Sequence, residues 1–303
     1  MSDIDKYSTG PRDVKAFAAL VRGIVHTIYD RTVPNCVKRR RNADKRKLCD
    51  ADIISLAIIG ELLGMDIERR WFSFAKHNLS EVFGSFCDRT RYNRTKRRLM
   101  SIINDIHMYI LERLPVAMIG IIDSCPIQVC GFPRAHFSKL YKGCGAAYGF
   151  CASKKNRYYG YKLHIIVDEN GFPITFDLTG ANVADGSMTE ELNKQAGFKW
   201  LLGDKGYIGV KLSFAKIFVP DKSNAKNPQP IGLNKFIRNK RRRIETTISQ
   251  LTDTLHIETV RARSFWGLCT NIRLKILAFL TAVYINYLLH ADNIFAIKNL
   301  VFN

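Results

Sequence analysis

From Asp50 to Leu63 apolar residues crowd almost every position (DADIISLAIIGELL), with Asp50 or Asp52 available as a cap and Gly64 as a stop. That pattern predicts a buried helix. A second helix is expected over Ile67 to His77. From Thr90 the apolar positions Tyr92, Leu99, Ile102, Ile103, Ile106 and Ile110 recur every three to four residues as far as Leu114, which predicts a third. Residues 1–115 therefore read as an all-helical domain.

After Pro115 the period changes. Ala117 to Ile122 (AMIGII) is a continuous apolar run, as in a strand buried on both faces, and it ends in Asp123. Tyr161 to Asp168 and Phe172 to Leu178 alternate apolar and polar positions around Glu169-Asn170-Gly171, whose Asn-Gly turn chemistry predicts a β-hairpin. A polar helix over Ser187 to Gln195 leads to a short strand, Lys199 to Gly203, again ending in an aspartate, Asp204. Phe214 to Val219 makes a fifth strand and Gly232 to Ile257 a long helix. Residues 116–303 are expected to form a mixed α/β domain with C-terminal helices. The apolar run Ile276 to Leu289, interrupted by Asn286, is shorter than the ~18 to 20 residues needed to cross a bilayer, and no membrane span is expected.

Composition adds the nature of the partner. There are 47 Lys and Arg against 27 Asp and Glu, a net charge of +20, which calls for a polyanion. The cations sit in three clusters on polar segments rather than along one lipid-facing helix, which favours nucleic acid. Lys38 to Lys47 (KRRRNADKRK) reads as a loop or arm carrying Arg39, Arg40 and Arg41. Arg89 to Arg98 (RTRYNRTKRR) opens the third helix, so that Arg89, Arg91, Arg94, Lys96, Arg97 and Arg98 fan out as on a helix presented to a DNA groove. Lys235 to Arg243 (KFIRNKRRR) lies on the long helix, with Arg238 and Arg241 on the face of Glu245. The eight cysteines contain no C-x-x-C pair and the opening ten residues no secretory signal, so a cytoplasmic chain with reduced thiols is expected. Cys130, His136, Cys144 and Cys151 are spaced too irregularly for a zinc site.

Carboxylates at the ends of buried strands must be paired or bind a cation. Asp123 and Asp204 would converge if their strands were adjacent and parallel, an adjacency that spacing alone leaves open. Either one, taken singly, is as well explained by capping a turn. Glu245 borders the core residues Ile244 and Ile248 of the long helix and is the third candidate. Oxygen ligands of this kind suit Mg²⁺ or Mn²⁺, and two ions about 3.5 to 4 Å apart are a standard clamp for phosphodiester displacement. Asp168 is assigned to the hairpin turn, Asp177 to a strand face and Asp185 to a loop.

Five segments, IIDSCPIQVCGFPRA, YGFCASKKNRYYGYKLHIIVDENG, LTGANVADG, LLGDKGYIG and RRRIETTISQLTDTLHIETVRARSFWGL, occur in the order found in the DDE transposases of bacterial insertion sequences. The chain resembles that group over most of residues 48–290, and the insertion-sequence 982 family most of all. The resemblance implies an RNase H-like catalytic domain with Asp123, Asp204 and Glu245 as catalytic, metal-holding triad, its first and fourth strands parallel neighbours. It also implies two Mg²⁺ or Mn²⁺ ions, double-stranded DNA as partner (element ends and target), a homodimer on DNA, and a bacterial, nucleoid-associated location. The wider insertion-sequence 4 pattern has a Tyr and a Lys where this chain has Arg238 and Thr252, so those strand contacts are not carried over. A nuclease of the same fold that cleaves without joining, and a non-catalytic DNA-binding derivative, remain alternatives.

Overall fold

The computed structural model describes residues 13–302 except 139, 140, 142 and 153. They divide into two compact units. The first takes in the chain through Leu114, Thr254–His256 and everything from Trp266 on; the second is Pro115–Asp253 with Ile257–Phe265.

The first unit opens with α1 (Val14–Thr32), α2 (Asn35–Lys38), α3 (Asp50–Leu62), α4 (Glu68–Asn78), α5 (Ser80–Phe83), α6 (Arg89–Arg98) and α7 (Met100–Leu111). The pattern reading did not anticipate α1, which buries Phe17, Leu20, Val21, Val25 and Ile28 at helical spacing. Nearly every side chain of α3 is buried, so it forms the centre of the unit. Its cap is Cys49 rather than an aspartate: Cys49 Sγ accepts from the Asp52 amide at 3.3 Å while Asp52 Oδ2 accepts from the Cys49 amide at 3.1 Å. The single third helix expected from Thr90 is two, broken at Leu99 (φ −89°, ψ 13°). On α6 the inward side chains are Tyr92 and Lys96, and Lys96 Nζ pairs with Glu68 at 3.0 Å. The expectation that Lys96 faces DNA is therefore corrected: it stands one turn from Tyr92, and its charge is spent inside the unit.

The second unit is a six-stranded mixed sheet with helices. Its strands are β1 (Ile119–Cys130), β2 (Ala147–Cys151), β3 (Asn156–Asp168), β4 (Pro173–Gly180), β5 (Trp200–Leu202) and β6 (Lys216–Phe218), with α8 (Thr189–Ala196) before β5 and α9 (Ile231–Asp253) after β6. The order is β2-β3-β1-β5-β6, and β4 pairs with the stretch of β3 beyond β2. β1 pairs antiparallel with β3 and parallel with β5, and β5 pairs parallel with β6. The strand expected to stop at Ile122 runs on to Cys130, so Asp123 lies within β1, where it pairs with Ile165 of β3. β2 escaped the sequence reading because its large apolar side chains, Tyr148 and Phe150, face solvent, and the positions that turn inward are the small residues Ala147, Gly149 and Cys151. The β3–β4 hairpin is closed by Asp168, whose Oδ1 accepts from the amides of Asn170, Gly171 and Phe172. Ile122, Ile166, Leu192, Phe198, Leu201 and Tyr207 form the core between sheet and α8.

Two further helices return to the first unit: α10 (Phe265–Leu288) and α11 (Asn299–Phe302). The pattern reading attached them to the catalytic domain. They pack instead in the helical unit, where Lys275 of α10 reaches Glu61 at 2.5 Å and Arg273 reaches Asn104 at 2.6 Å. At 24 residues α10 exceeds the apolar run read from sequence and is long and apolar enough to cross a membrane by length and composition, yet 83% of that stretch is buried inside the protein. It is, with α3, a core helix of its unit.

One close approach supports a prediction. A Cβ at Gly160 would stand 2.1 Å from the Ile127 carbonyl oxygen, opposite the bulge between Gln128 and Cys130. Gly160→Ala should lower stability by about 3 kcal/mol, because backbone and not a flexible side chain would have to shift; thermal unfolding of the variant checks it, an unchanged midpoint contradicting the contact.

Candidate active site

The parallel pairing of β1 and β5 aligns Ile119 with Trp200, Gly120 with Leu201 and Ile121 with Leu202. Asp123 follows two residues after Ile121 and Asp204 two after Leu202, so the two carboxylates emerge from neighbouring strands in the same direction. Asp204 also caps the short 3₁₀ turn Lys205–Tyr207, its Oδ1 accepting from the Gly206 amide at 2.8 Å. The capping role and the site role coexist, since a carboxylate with one oxygen in a cap keeps the other oxygen's lone pairs free.

α9 brings the third acid. Its buried residues Ile237, Ile244, Thr247 and Leu251 fix its rotation, and Thr247 Oγ1 donates to the Gly171 carbonyl at 2.9 Å. Glu245 stays exposed, and Arg241, one turn earlier, is mostly buried. The Arg241 Nη2 atom lies 3.5 Å from Asp123 Oδ2 and 3.9 Å from Glu245 Oε1, so one guanidinium nitrogen spans two of the three acids. Its Nε is buried without a hydrogen-bond partner. Arg238, seven residues before Glu245, is exposed.

Charge is crowded here. Burial pushes the Asp123 carboxyl up to about 6, with Asp204 and Asp185 adding to the rise while the Ser124 amide and Arg241 oppose it. The Tyr207 hydroxyl, on a side chain only 1% exposed, has no partner, and burial together with Asp123, Asp185 and Asp204 raises it far above the ordinary phenol range. An accumulation of hard oxygens facing an unsatisfied hydroxyl fits a divalent cation such as Mg²⁺ or Mn²⁺. The arrangement is open, however: among the described residues, the group of three potential ligands gathered within 4.8 Å of one another is His26, Cys49 and Asp52 in the helical unit. That group is a capping network, with both oxygens of Asp52 already engaged by Arg22, His26 and the Cys49 amide.

Asp185 was assigned to a loop, and the structure corrects this. It opens a 3₁₀ turn, Asp185–Met188, and its Oδ1 accepts from Ser124 Oγ at 2.7 Å and from Lys162 Nζ at 2.9 Å. Burial pushes its carboxyl up, but the Ser124 hydroxyl and Lys162 outweigh it and hold the group below the usual carboxylate range. Sequence spacing carried no signal for it, because Ser124 is 61 residues away and Lys162 approaches only through the β1–β3 register.

In the helical unit the basic residues separate into two kinds. Arg40 and Arg46 both bind the buried carboxylate of Asp50, at 2.7 and 2.9 Å. Arg39, Arg41, Arg89, Arg91, Arg94 and Arg98 are exposed and Arg97 partly so; of these, Arg89 pairs with Glu68 at 3.2 Å. Arg91, Arg94 and Arg98 line a cleft of about 570 Å³ together with Arg40 and Arg46, floored by Val33, Pro34 and Val37. With Arg40 and Arg46 engaged by Asp50, the exposed guanidinium groups of Arg91, Arg94 and Arg98 make this cleft an anion-binding surface.

Residues 115–265 match the family model described as "Transposase DDE domain", a stretch close to half of the chain that contains Asp123, Asp204 and Glu245. The match supports a DDE transposase, an enzyme class of the polynucleotidyl-transferase type that acts on DNA and normally uses divalent metal ions. No curated protein and no solved structure matches the chain.

The raised Asp123 carboxyl has a sign that stability measurements can read. A carboxyl at 3.8 when unfolded and about 6 when folded binds its proton more tightly in the native state, so the stability it contributes is present below about pH 4 and lost as pH rises through 6. In metal-free buffer at pH 7.5, Asp123→Asn should be more stable than wild type by about 2 to 3 kcal/mol, the gap closing by pH 4. Equal unfolding midpoints at both pH values would contradict the burial of this charge.

Proposed function

We propose that the chain is a transposase that binds the terminal inverted repeats of its insertion sequence, cleaves DNA there and joins the freed 3′-hydroxyl to target DNA. The observation that carries this reading is the parallel β1–β5 register, which sends Asp123 and Asp204 out of the sheet together, with Glu245 supplied by α9. Asp123, Asp204 and Glu245 would hold the ions. Two bound divalent cations would supply activation of the attacking oxygen and stabilisation of the leaving one at phosphorus. Arg241, set among these carboxylates, offers its guanidinium to the scissile strand's phosphate and takes part of the negative charge when no ion is held. No side chain is needed as a nucleophile; Cys125 is buried and its thiol is pushed well above the ordinary range by burial.

The motifs support a member of the insertion-sequence 982 family, and with it a bacterial, nucleoid-associated enzyme acting on double-stranded DNA. Two ends to be joined call for a homodimer on DNA. End recognition falls to the cleft of Arg91, Arg94 and Arg98, with Arg39, Arg40, Arg41, Arg89 and Arg97 of the same unit as further contacts and Arg238 of α9 as a contact of the second unit.

The decisive experiment is cleavage and joining on DNA that carries the element's ends, with Mg²⁺. Asp123→Ala, Asp204→Ala and Glu245→Ala should each abolish cleavage while end binding persists, since each removes a carboxylate and no phosphate-binding cation. Mg²⁺-dependent cleavage by any of them at wild-type rate would sink the assignment, and cleavage by wild type without any joined product would make the chain a nuclease. Binding should also fall steeply with salt. In Arg91→Ala/Arg94→Ala/Arg98→Ala the slope of log affinity against log salt should flatten by about three, one for each phosphate contact removed; an unchanged slope would move recognition away from this cleft.

A further inference from the structure

We propose that Asp185 is a fourth carboxylate of this centre, giving its Oδ2 atom to a divalent ion held beside Asp204. The inference rests on the metal-binding reading of the acidic site given above.

The two oxygens of Asp185 differ in what they do. Oδ1 is occupied by Ser124 Oγ and Lys162 Nζ, and Lys162 Nζ is itself anchored on the Val183 carbonyl at 2.8 Å. Two contacts, from β1 and β3, therefore hold Oδ1, and the second donor is itself fixed by the segment before the 3₁₀ turn. Oδ2 has no partner among the described residues and turns toward the Lys205–Tyr207 turn. A Cβ on Gly206 would stand 2.9 Å from Asp204 Oδ1 and 3.4 Å from Asp185 Oδ2. The two carboxylates therefore flank one small volume that any side chain at 206 would fill. The buried hydroxyl of Tyr207 has no hydrogen-bond partner and lies near enough to Asp123, Asp185 and Asp204 for all three to raise it, an independent sign of an unfilled polar site, since a phenol seldom loses water without gaining a partner.

A purely structural role, with Asp185 serving only to hold Ser124 and Lys162, accounts for Oδ1. It leaves Oδ2 and the space at Gly206 without a function. Ligation by Oδ2 uses both.

Mn²⁺ uptake by the full-length chain, followed by loss of the free-ion paramagnetic resonance signal, tests the idea without reference to activity. Wild type should take up the ion and Asp204→Asn should lose most of that uptake. Asp185→Asn keeps an oxygen for Ser124 and Lys162 but replaces the ligating atom with an amide nitrogen, and should weaken Mn²⁺ binding about tenfold or more. Ser124→Ala, which removes a partner of Oδ1 alone, should change it by less than about threefold, within the reach of an outer hydrogen bond. If Asp185→Asn binds Mn²⁺ like wild type while Asp204→Asn does not, Asp185 is no ligand and the acidic site stands without it. A Ser124→Ala loss equal to that of Asp185→Asn would reduce Asp185 to a positioning residue. If wild type takes up no Mn²⁺, the metal-binding reading itself falls and this inference with it. Should Asp185→Asn fail to fold, Asp185→Glu replaces it: the retained carboxylate is displaced by a methylene, and weakened but measurable uptake is the expected result, unchanged uptake the overturning one.

Discussion

Three residue pairs between β1 and β5 carry the whole arrangement of the second unit. A slip of one residue along this parallel ladder would turn every side chain of β5 to the opposite face and draw Asp204 away from Asp123. The register is held by packing as much as by hydrogen bonds. A Cβ on Gly120 would stand 2.5 Å from the Phe198 ring and 2.7 Å from Leu201, so the absence of a side chain there lets the turn before β5 close onto β1. Leu201, Phe198 and Tyr207 then share a core with Leu192 of α8. The same apolar layer that fixes the strands also excludes water from one side of the acids, and for that reason the Asp123 carboxyl resists ionisation.

Much of this was legible in the chain because it is local. The hairpin follows from Asn170-Gly171, and Asp168 was rightly given to its turn, since three amides within four residues satisfy it. Asp123 and Asp204 were visible because an apolar run that stops in a charge is rare, although β1 itself runs on past Asp123. What could not be seen was long-range. Asp185 is defined by Ser124 and Lys162, and nothing in the order of residues links the three. Other gaps were avoidable: with Tyr92 taken as inward, Lys96 four residues on must share its face, and Phe17, Leu20, Val21 and Ile28 trace a helical stripe in α1. The reach of β1 past Asp123 was obscured by the polar residues Ser124 and Gln128, which the hydrophobic pattern reads as an ending.

The net charge of +20 also reads differently once the pairs are known. Part of the basic excess is consumed by structure: Arg40 and Arg46 neutralise Asp50, Lys96 neutralises Glu68, and Lys275 neutralises Glu61 inside the helical core. Each of these acids is buried or nearly so and would be costly if left alone. Exposed cations that take no part in these buried pairs include Arg39 and Arg41 of the segment before α3 and Arg91, Arg94 and Arg98 of α6.

The position of α10 has a consequence for the order in which the protein is made. The second unit draws on nothing beyond Phe265, whereas the first draws on both the beginning and the end of the chain. On the ribosome the sheet and its carboxylates can therefore close into their native form while α1 to α7 still lack the central helix that completes their core. Synthesis through α10 is the condition for the helical unit to acquire its native core, so a product stopped before that helix would retain the acidic centre without a finished helical unit.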